Sequence, residues 1–334
     1  LSRYFESHPH QLLHRGSPPC AMFPIRLRAS LVVFLLPLTG IAQQPSPTSP
    51  PARTVITPAV LESLESHPDV AYARYGDRTL SLDLFRPRER GRPLPGIVCV
   101  HGGGWFKGER TSQTSLAQAL AARGFVTVTI TYRLSGEAKF PAAIQDVKAA
   151  VRWLRAQAPT YGIDPAFIGA TGLSAGGHLV ALAATSGGVG DLEGNGGNAE
   201  QSSTIQACVA MGAQSDLESA RIGELSGKSD DPFYRTFLGG SQAELPQMFA
   251  LASPRHHVDA KDPPLLFMAG EKDDPSTHAD DIRKDLESLG IATGFIPISG
   301  APHAFLGQQG WFDQAVGTCA DFFHRHLTRP AGAK

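Results

Sequence analysis

Phe167-Ile168-Gly169-Ala170-Thr171-Gly172-Leu173-Ser174-Ala175-Gly176-Gly177-His178 is the stretch on which the reading of this 334-residue chain turns. Its first half is short, apolar and β-prone. From Ala175 the chain becomes small and helix-compatible and continues so to Ala184. A strand that turns at once into a helix forces strained dihedrals on the residue between them, here Ser174. Gly172 and Gly176 lack Cβ atoms, so strand and helix can approach closely around it. The N-terminus of the helix then lies under the serine, where its unbonded N–H groups favour negative charge. Alone, a G-x-S-x-G pattern is a weak signal, since a glycine-rich strand-to-helix turn without chemistry also fits it.

A second segment, His101-Gly102-Gly103-Gly104-Trp105, changes that balance. It follows Pro95-Gly96-Ile97-Val98-Cys99-Val100, an uncharged run with the pattern of a strand buried on both faces. Successive glycines let a backbone turn its N–H groups outward. Such a loop can cradle phosphate, but no lysine follows in P-loop spacing and no G-x-G-x-x-G is present in it. The remaining reading is an oxyanion loop. Acyl transfer needs both a serine on a tight turn and N–H donors for the oxyanion.

A serine nucleophile also needs a base and an acid, in chain order Ser, Asp/Glu, His for this elbow. Pro263 to Gly270 reads as a buried strand ending in a turn, and Glu271, Asp273 and Asp274 follow it. Phe295 to Ile298 reads as a last strand, followed by Ser299-Gly300-Ala301-Pro302-His303. The chain has 12 histidines. His303 stands apart because it lies in a small-residue loop between that last strand and a final amphipathic helix.

Residues 69–328 resemble the esterase/lipase branch of the α/β-hydrolases. They are most similar to its secreted feruloyl-esterase and acetyl-xylan-esterase-like group. The likeness rests on HGGGW at 101–105, GLSAGGH at 172–178, LDLFRP at 82–87, YRL at 132–134, FPAA at 140–143, IQDVK at 144–148 and GIDP at 162–165. It implies Ser174 as nucleophile, His303 as general base and Asp273 as acid, the last from Gly270-Glu271-Lys272-Asp273 standing where the group has G-D-x-D. Asp274 is the alternative acid. Gly103, Gly104 and Ala175 match the oxyanion donors. The chain departs from the group at Ala269-Gly270, where His-Gly is usual, and in lacking a Val-Pro after the acid. It departs again at Gly212-Ala213-Gln214-Ser215-Asp216, where G-P-T-D is usual.

Outward from these motifs, strands are expected near 69–75, 79–86, 96–100, 126–131, 168–173, 205–211, 264–269 and 291–297. Helices are expected near 111–122, 141–156, 175–185, 276–289 and 311–327. Alternating strands and helices predict an α/β architecture, a mostly parallel eight-stranded sheet with helices on both faces, and the resemblance implies that this is the α/β-hydrolase fold. In 141–156, Ile144, Val147, Ala150, Val151 and Leu154 form one apolar stripe. Asp146 falls off that stripe and is a structural partner for Arg133. Residues 187–201 read as a surface loop. Residues 213–262 form a long excursion whose Phe233, Tyr234, Phe237 and Phe249 either wall an acyl pocket or form a satellite core.

The charge balance, 30 basic against 31 acidic residues, gives no reason to expect nucleic-acid or anionic-membrane binding. A basic stretch from Met22, an apolar run at 31–38 and Gly40-Ile41-Ala42 form a signal-peptide pattern at 22–42, cleaved near Ala42. The apolar run is too short to span a bilayer, so export without a stable membrane anchor is expected. Residues 1–21 are then an upstream segment absent from the mature protein, and the Pro/Ser-rich 43–68 a flexible linker. Cys99, Cys208 and Cys319 are expected to be buried and unpaired. No Cys/His set has zinc spacing, and neither metal nor organic cofactor is implied. The sequence is silent on oligomeric state.

The function expected is a serine carboxylesterase acting on short-chain acyl or hydroxycinnamoyl esters, either small molecules or esters linked to plant polysaccharide. Only a Pro/Ser-rich linker and a short segment separate the expected cleavage site from the first strand, so the site is expected to be open and roofed in part by residues 213–262. The alternatives are a serine amidase, formamidase or peptidase on the same fold, and a non-catalytic binding protein.

Overall fold

Eight strands make one sheet in the order β1–β2–β4–β3–β5–β6–β7–β8. They are β1 (Leu64–Tyr75), β2 (Arg78–Pro87), β3 (Leu94–Val100), β4 (Val126–Ile130), β5 (Ile163–Leu173), β6 (Ala207–Met211), β7 (Leu265–Gly270) and β8 (Thr293–Ile298). The computed structural model describes residues 54–89 and 91–328. The expected signal peptide at 22–42 and the segment 1–21 lie outside them. β2 pairs antiparallel with β1 and β4, and the other neighbours are parallel.

The helices are α1 (Pro58–Glu62), α2 (Thr114–Ala121), α3 (Ala142–Ala156), α4 (Ala158–Tyr161), α5 (Ala175–Thr185), α6 (Gly190–Glu193), α7 (Ala220–Gly227), α8 (Tyr234–Leu238), α9 (Pro246–Ala252), α10 (Asp280–Ser288) and α11 (Gln309–His326). The central strands read as unbroken apolar runs because both faces are covered. In β3, Val98 and Val100 join the core beneath α3 and α5, while Ile97 and Cys99 join the core beneath α2 and α11. The α3 stripe is buried as its spacing predicts. Among the described residues no helix is long and apolar enough to cross a membrane.

The parallel register sets where chemistry can occur. Val100 pairs with Gly172, Leu173 with Met211, Met211 with Met268 and Gly270 with Ile298. The last residues of β3, β5, β6, β7 and β8 therefore lie along one edge, and the loops that leave them meet there. Ligands in parallel α/β sheets bind at this carboxyl edge.

Three sequence expectations need correction. The part of the 43–68 linker that is described is ordered: Thr57 Oγ1 caps α1 by accepting from the Val60 N–H, with Pro58 in the first turn, and β1 already begins at Leu64. Composition hid this, since a cap, a helix-starting proline and one buried leucine are invisible among Pro and Ser. The helix expected at 276–289 is broken at Ala279, which takes a left-handed conformation (φ 57°), so that Pro275–His278 is a separate 3₁₀ turn. The segment 187–201 is not purely surface: it contains α6, and Glu193 is held by Lys148 Nζ (2.7 Å) and Arg152 Nη1 (3.2 Å) of α3.

Candidate active site

Ser174 is the single residue between β5 and α5. Its φ of 61° and ψ of −122° lie outside the regions L-residues prefer, a cost on the order of 1–3 kcal/mol that the surroundings must offset. Two backbone bonds fix it: its N–H donates to the Met211 carbonyl (2.8 Å), and its carbonyl accepts from the His178 N–H (2.9 Å). The first turn of α5 presses on the end of β3. A Cβ at Gly176 would stand 2.1 Å from the Val100 carbonyl oxygen, so no side chain is tolerated there. The N–H groups of that first turn, Ala175 among them, have no intrahelical acceptor.

The loop after β3 lies against this elbow. The Gly103 carbonyl accepts from the N–H groups of Phe106 (3.3 Å) and Lys107 (3.1 Å), which folds the loop into a tight turn. His101 is buried and stacks on Tyr132 with ring centroids 4.2 Å apart. Its Nδ1–H donates to the Gly102 carbonyl (2.7 Å), and the Tyr132 hydroxyl donates to the His101 carbonyl (3.1 Å). Burial lowers the pKa of His101. His101 thus shapes the loop and leaves the cleft to the glycines.

His303 follows β8 and Asp273 follows β7. His303 Nδ1 donates to Asp273 Oδ2 at 2.7 Å. The Asp273 side chain is 5% exposed and that of His303 45%, so the carboxylate lies beneath an imidazole open to solvent. The other oxygen of Asp273 accepts from the Asp274 N–H (2.8 Å). Asp274 turns elsewhere. Its carboxylate accepts from the Ser276 hydroxyl (2.7 Å) and N–H (3.0 Å) and pairs with Arg221 (2.8 Å). The bonds from Ser276, with Arg221 behind them, hold its pKa at about 2. Of the two acidic candidates, the imidazole is placed against Asp273.

These loops enclose a cleft of about 520 Å³ lined by Gly103, Gly104, Ser174, Ala175 and His303, with Phe233 and Tyr234 on the excursion side. Phe237 and Phe249 belong to the main core, which Tyr234 joins as well as facing the cleft. The four aromatics therefore divide between wall and core, and no satellite core forms from them. Phe233 is 43% exposed. Its ring and that of Phe106 stand over Gly104, centroids 5.9 Å apart. A second cleft of about 490 Å³, lined by Asp216, Arg221, Asp274 and Ser276 among others, adjoins the first. The two are joined where Gln214 Nε2 donates to Ser276 Oγ (3.0 Å).

Two residues with evident work in the site carry no role in the sequence reading. Gly212, just past β6, has φ of 53°, and a Cβ there would meet His303 Cε1 at 3.1 Å and Asp273 Oδ2 at 3.3 Å. It is the floor on which the His–Asp pair rests. A glycine directly after a predicted strand was the available signal. His178, one helical turn after Ser174, is wholly buried and accepts the Trp105 indole N–H. Among the described residues no three His, Cys, Asp or Glu side chains converge as a metal-ligand set.

A sequence profile of the BD-FAE family matches residues 82–285. The esterase LipQ of Mycobacterium tuberculosis is 34% identical over 244 residues, 71% of this chain and 56% of that one. Esterase LipC of the same organism is 32% identical over 69% of this chain and 58% of its own length. The chain thus spans little more than half the length of these curated relatives. Among solved structures, a truncated carbohydrate esterase from gut microbiota superposes with a TM-score of 0.68 at 30% identity, covering 79% of this chain and 97% of that one. The propionate-bound esterase Est2 of Thermogutta terrifontis gives 0.65 at 26% identity, covering 81% and 97%. With its sheet order, elbow and site geometry, the chain belongs to the BD-FAE family of α/β-hydrolase esterases.

Proposed function

We propose that this protein is a serine carboxylesterase with Ser174 as nucleophile, His303 as general base and Asp273 as the orienting acid. The observation that carries the reading is the 2.7 Å His303–Asp273 bond at the rim of a cleft whose floor holds a strained Ser174 at a helix N-terminus. With Nδ1–H given to Asp273, the other nitrogen of His303 is the basic one. It takes the Ser174 proton as the serine attacks the ester carbonyl, and Asp273 stabilises the resulting imidazolium. The N–H groups of Gly103, Gly104 and Ala175 bind the tetrahedral oxyanion. The alcohol departs with the proton from His303, and water enters by the same route to release the acid.

For substrates, the reading is short-chain acyl or hydroxycinnamoyl esters, including those on plant polysaccharide. The exposed Phe233 and the Phe106 ring beside Gly104 suit a flat or short acyl group. The likeness to a carbohydrate esterase and to an esterase solved with propionate supports the same range. The second cleft, with Asp216, Arg221, Asp274 and Ser276 among its lining residues, offers room and hydrogen-bonding partners for a hydroxyl-rich leaving group. Export through the signal at 22–42 places the enzyme where polysaccharide is met, and N-terminal sequencing of the expressed protein tests that part.

The test of activity is a panel of acetyl, butyryl, feruloyl and long-chain esters, with aromatic amides beside them and release of acetate or ferulate from xylan. Ser174→Ala is expected to fold and to lose ester hydrolysis by about 10⁴-fold or more. Near-full activity in that variant removes Ser174 as nucleophile. A preference for acyl chains beyond about ten carbons, with no release from polysaccharide, defeats the substrate assignment.

A further inference from the structure

His178 lies outside the cleft, yet it stands on the elbow helix and touches both the glycine loop and the excursion. Its Nδ1 accepts the Trp105 indole N–H at 3.1 Å, and its Nε2–H donates to the Ala252 carbonyl at 2.8 Å. A carbonyl can only accept and an indole N–H can only donate, so both bonds require one tautomer of a neutral imidazole. Trp105 is the residue directly after Gly104, Ala252 ends α9 in the excursion, and His178 itself is on the elbow helix.

Trp105 needs such a hold. Its φ is 64°, a left-handed conformation that a bulky residue seldom adopts. Its carbonyl is held by the Ser135 N–H (2.9 Å) and hydroxyl (3.0 Å). Its ring lies flat on Phe237 with centroids 4.6 Å apart and edge-on to His178 at 5.2 Å. Phe237 and Tyr234 (centroids 5.8 Å away) confine the buried indole by packing, which is not directional. The N–H to His178 is the directional contact, and it fixes the ring within that packing. A shift of Trp105 is a shift of Gly104 through one peptide bond.

We propose that His178 is a positioning residue: through Trp105 it sets the loop bearing Gly103 and Gly104 at a fixed distance from Ser174, so that the oxyanion donors meet the tetrahedral intermediate. This rests on the reading of those glycines as oxyanion donors. A donor displaced by a fraction of an ångström loses most in the transition state, where the charge is, and little in ground-state binding. Burial pushes the His178 pKa down to about 4, which keeps the ring neutral where esterases work.

The experiment measures kcat and KM on p-nitrophenyl acetate, with thermal unfolding of each variant. Trp105→Phe removes the N–H and keeps the stack, and is expected to lower kcat ~10–100-fold with KM within about twofold. His178→Leu should show the same kcat loss, and the double variant should lose no more than either single one. His178→Asn places an acceptor near Nδ1 but cannot reach Ala252. It should recover most of kcat while still unfolding at a lower temperature, which separates positioning from stability. Should His178→Leu fail to fold, Trp105→Phe and His178→Asn decide the matter between them. Folded variants with unchanged kcat and only a lower Tm, losses confined to KM, or additive losses overturn the proposal. Ser174→Ala run in parallel keeps the two readings apart. If it is inactive while the Trp105 and His178 variants turn over normally, the positioning role alone falls. If it remains active, the catalytic reading falls first.

Discussion

Asp273 and Asp274 are neighbours in sequence and opposites in chemistry. Asp273 is buried against His303 and has one oxygen for the imidazole. Asp274 caps the turn at Pro275–His278 and faces Arg221. Asp273→Asn should therefore lower kcat by about 10⁴-fold, because an amide can present its N–H to Nδ1 and favour the wrong tautomer. Asp274→Asn should keep kcat within a few-fold and change mainly the stability of that turn. Steady-state kinetics on the two purified variants decide, and the reverse ranking would move the acid to Asp274. His178 gives a pH prediction at the same scale. Its pKa is lowered from the ordinary 6.5 to about 4 by burial, with the bond to Ala252 opposing. As pH falls from 6.5 towards 4 the unfolded chain takes up a proton that the folded one refuses, so stability is full above that window and declines through it. The His178 share of the decline amounts to ~3 kcal/mol, and since His101, His257 and His326 are also lowered by burial, urea unfolding should show a decline smaller by that share in His178→Asn than in the parent protein.

Elements were legible in the sequence to the degree that their burial was simple. The central parallel strands were readable because both faces are covered and charged side chains are kept out of their buried stretches, and α3 because its stripe repeats with the helical period. The Arg133–Asp146 partnership was readable too. In the structure Asp146 is fully buried and accepts from the Arg133 backbone N–H (2.8 Å), Nε (3.0 Å) and Nη2 (2.8 Å). It ties the segment after β4 to α3. Burial raises the Asp146 pKa, and the bonds from Arg133 oppose that rise. Arg133→Met should leave a buried carboxylate without its cation and cost about 3–5 kcal/mol, read from denaturant unfolding. A loss under about 1 kcal/mol would mean that the backbone bond alone suffices. By contrast α7, α8 and α9 were not legible. They run 8, 5 and 7 residues, too short for a periodic signal, and tertiary contacts rather than local propensity hold them. The same reason hid the split of the excursion aromatics between cleft and core, since spacing cannot say which side of a short helix meets the sheet.

At the scale of the whole molecule, the site exists because five strands end together. No two of Gly103, Ser174, Gly212, Asp273 and His303 share a loop, and only the common edge of the sheet brings them into one place. Sequence order offered candidates for the partners, whereas for Gly212 it held no more than a glycine after a predicted strand, and its place under the His–Asp pair comes from the packing. The sulfurs record the same architecture from inside. Cys99, Cys208 and Cys319 are free and fully buried, and burial raises the pKa of each, that of Cys319 to about 12. None should react with a thiol reagent in the native protein within minutes, while all three should titrate after unfolding. Prompt native labelling of any of them would contradict the packing.

Those three thiols also sit on both sides of the sheet: Cys208 in the layer beneath α3 and α5, Cys99 and Cys319 in the layer beneath α2 and α11. They are a built-in clock with two hands. Followed over hours under native conditions, modification of Cys208 times the opening of one layer and modification of Cys319 the opening of the other. Equal rates mean that the sandwich comes apart as a unit; unequal rates name the side that breathes first.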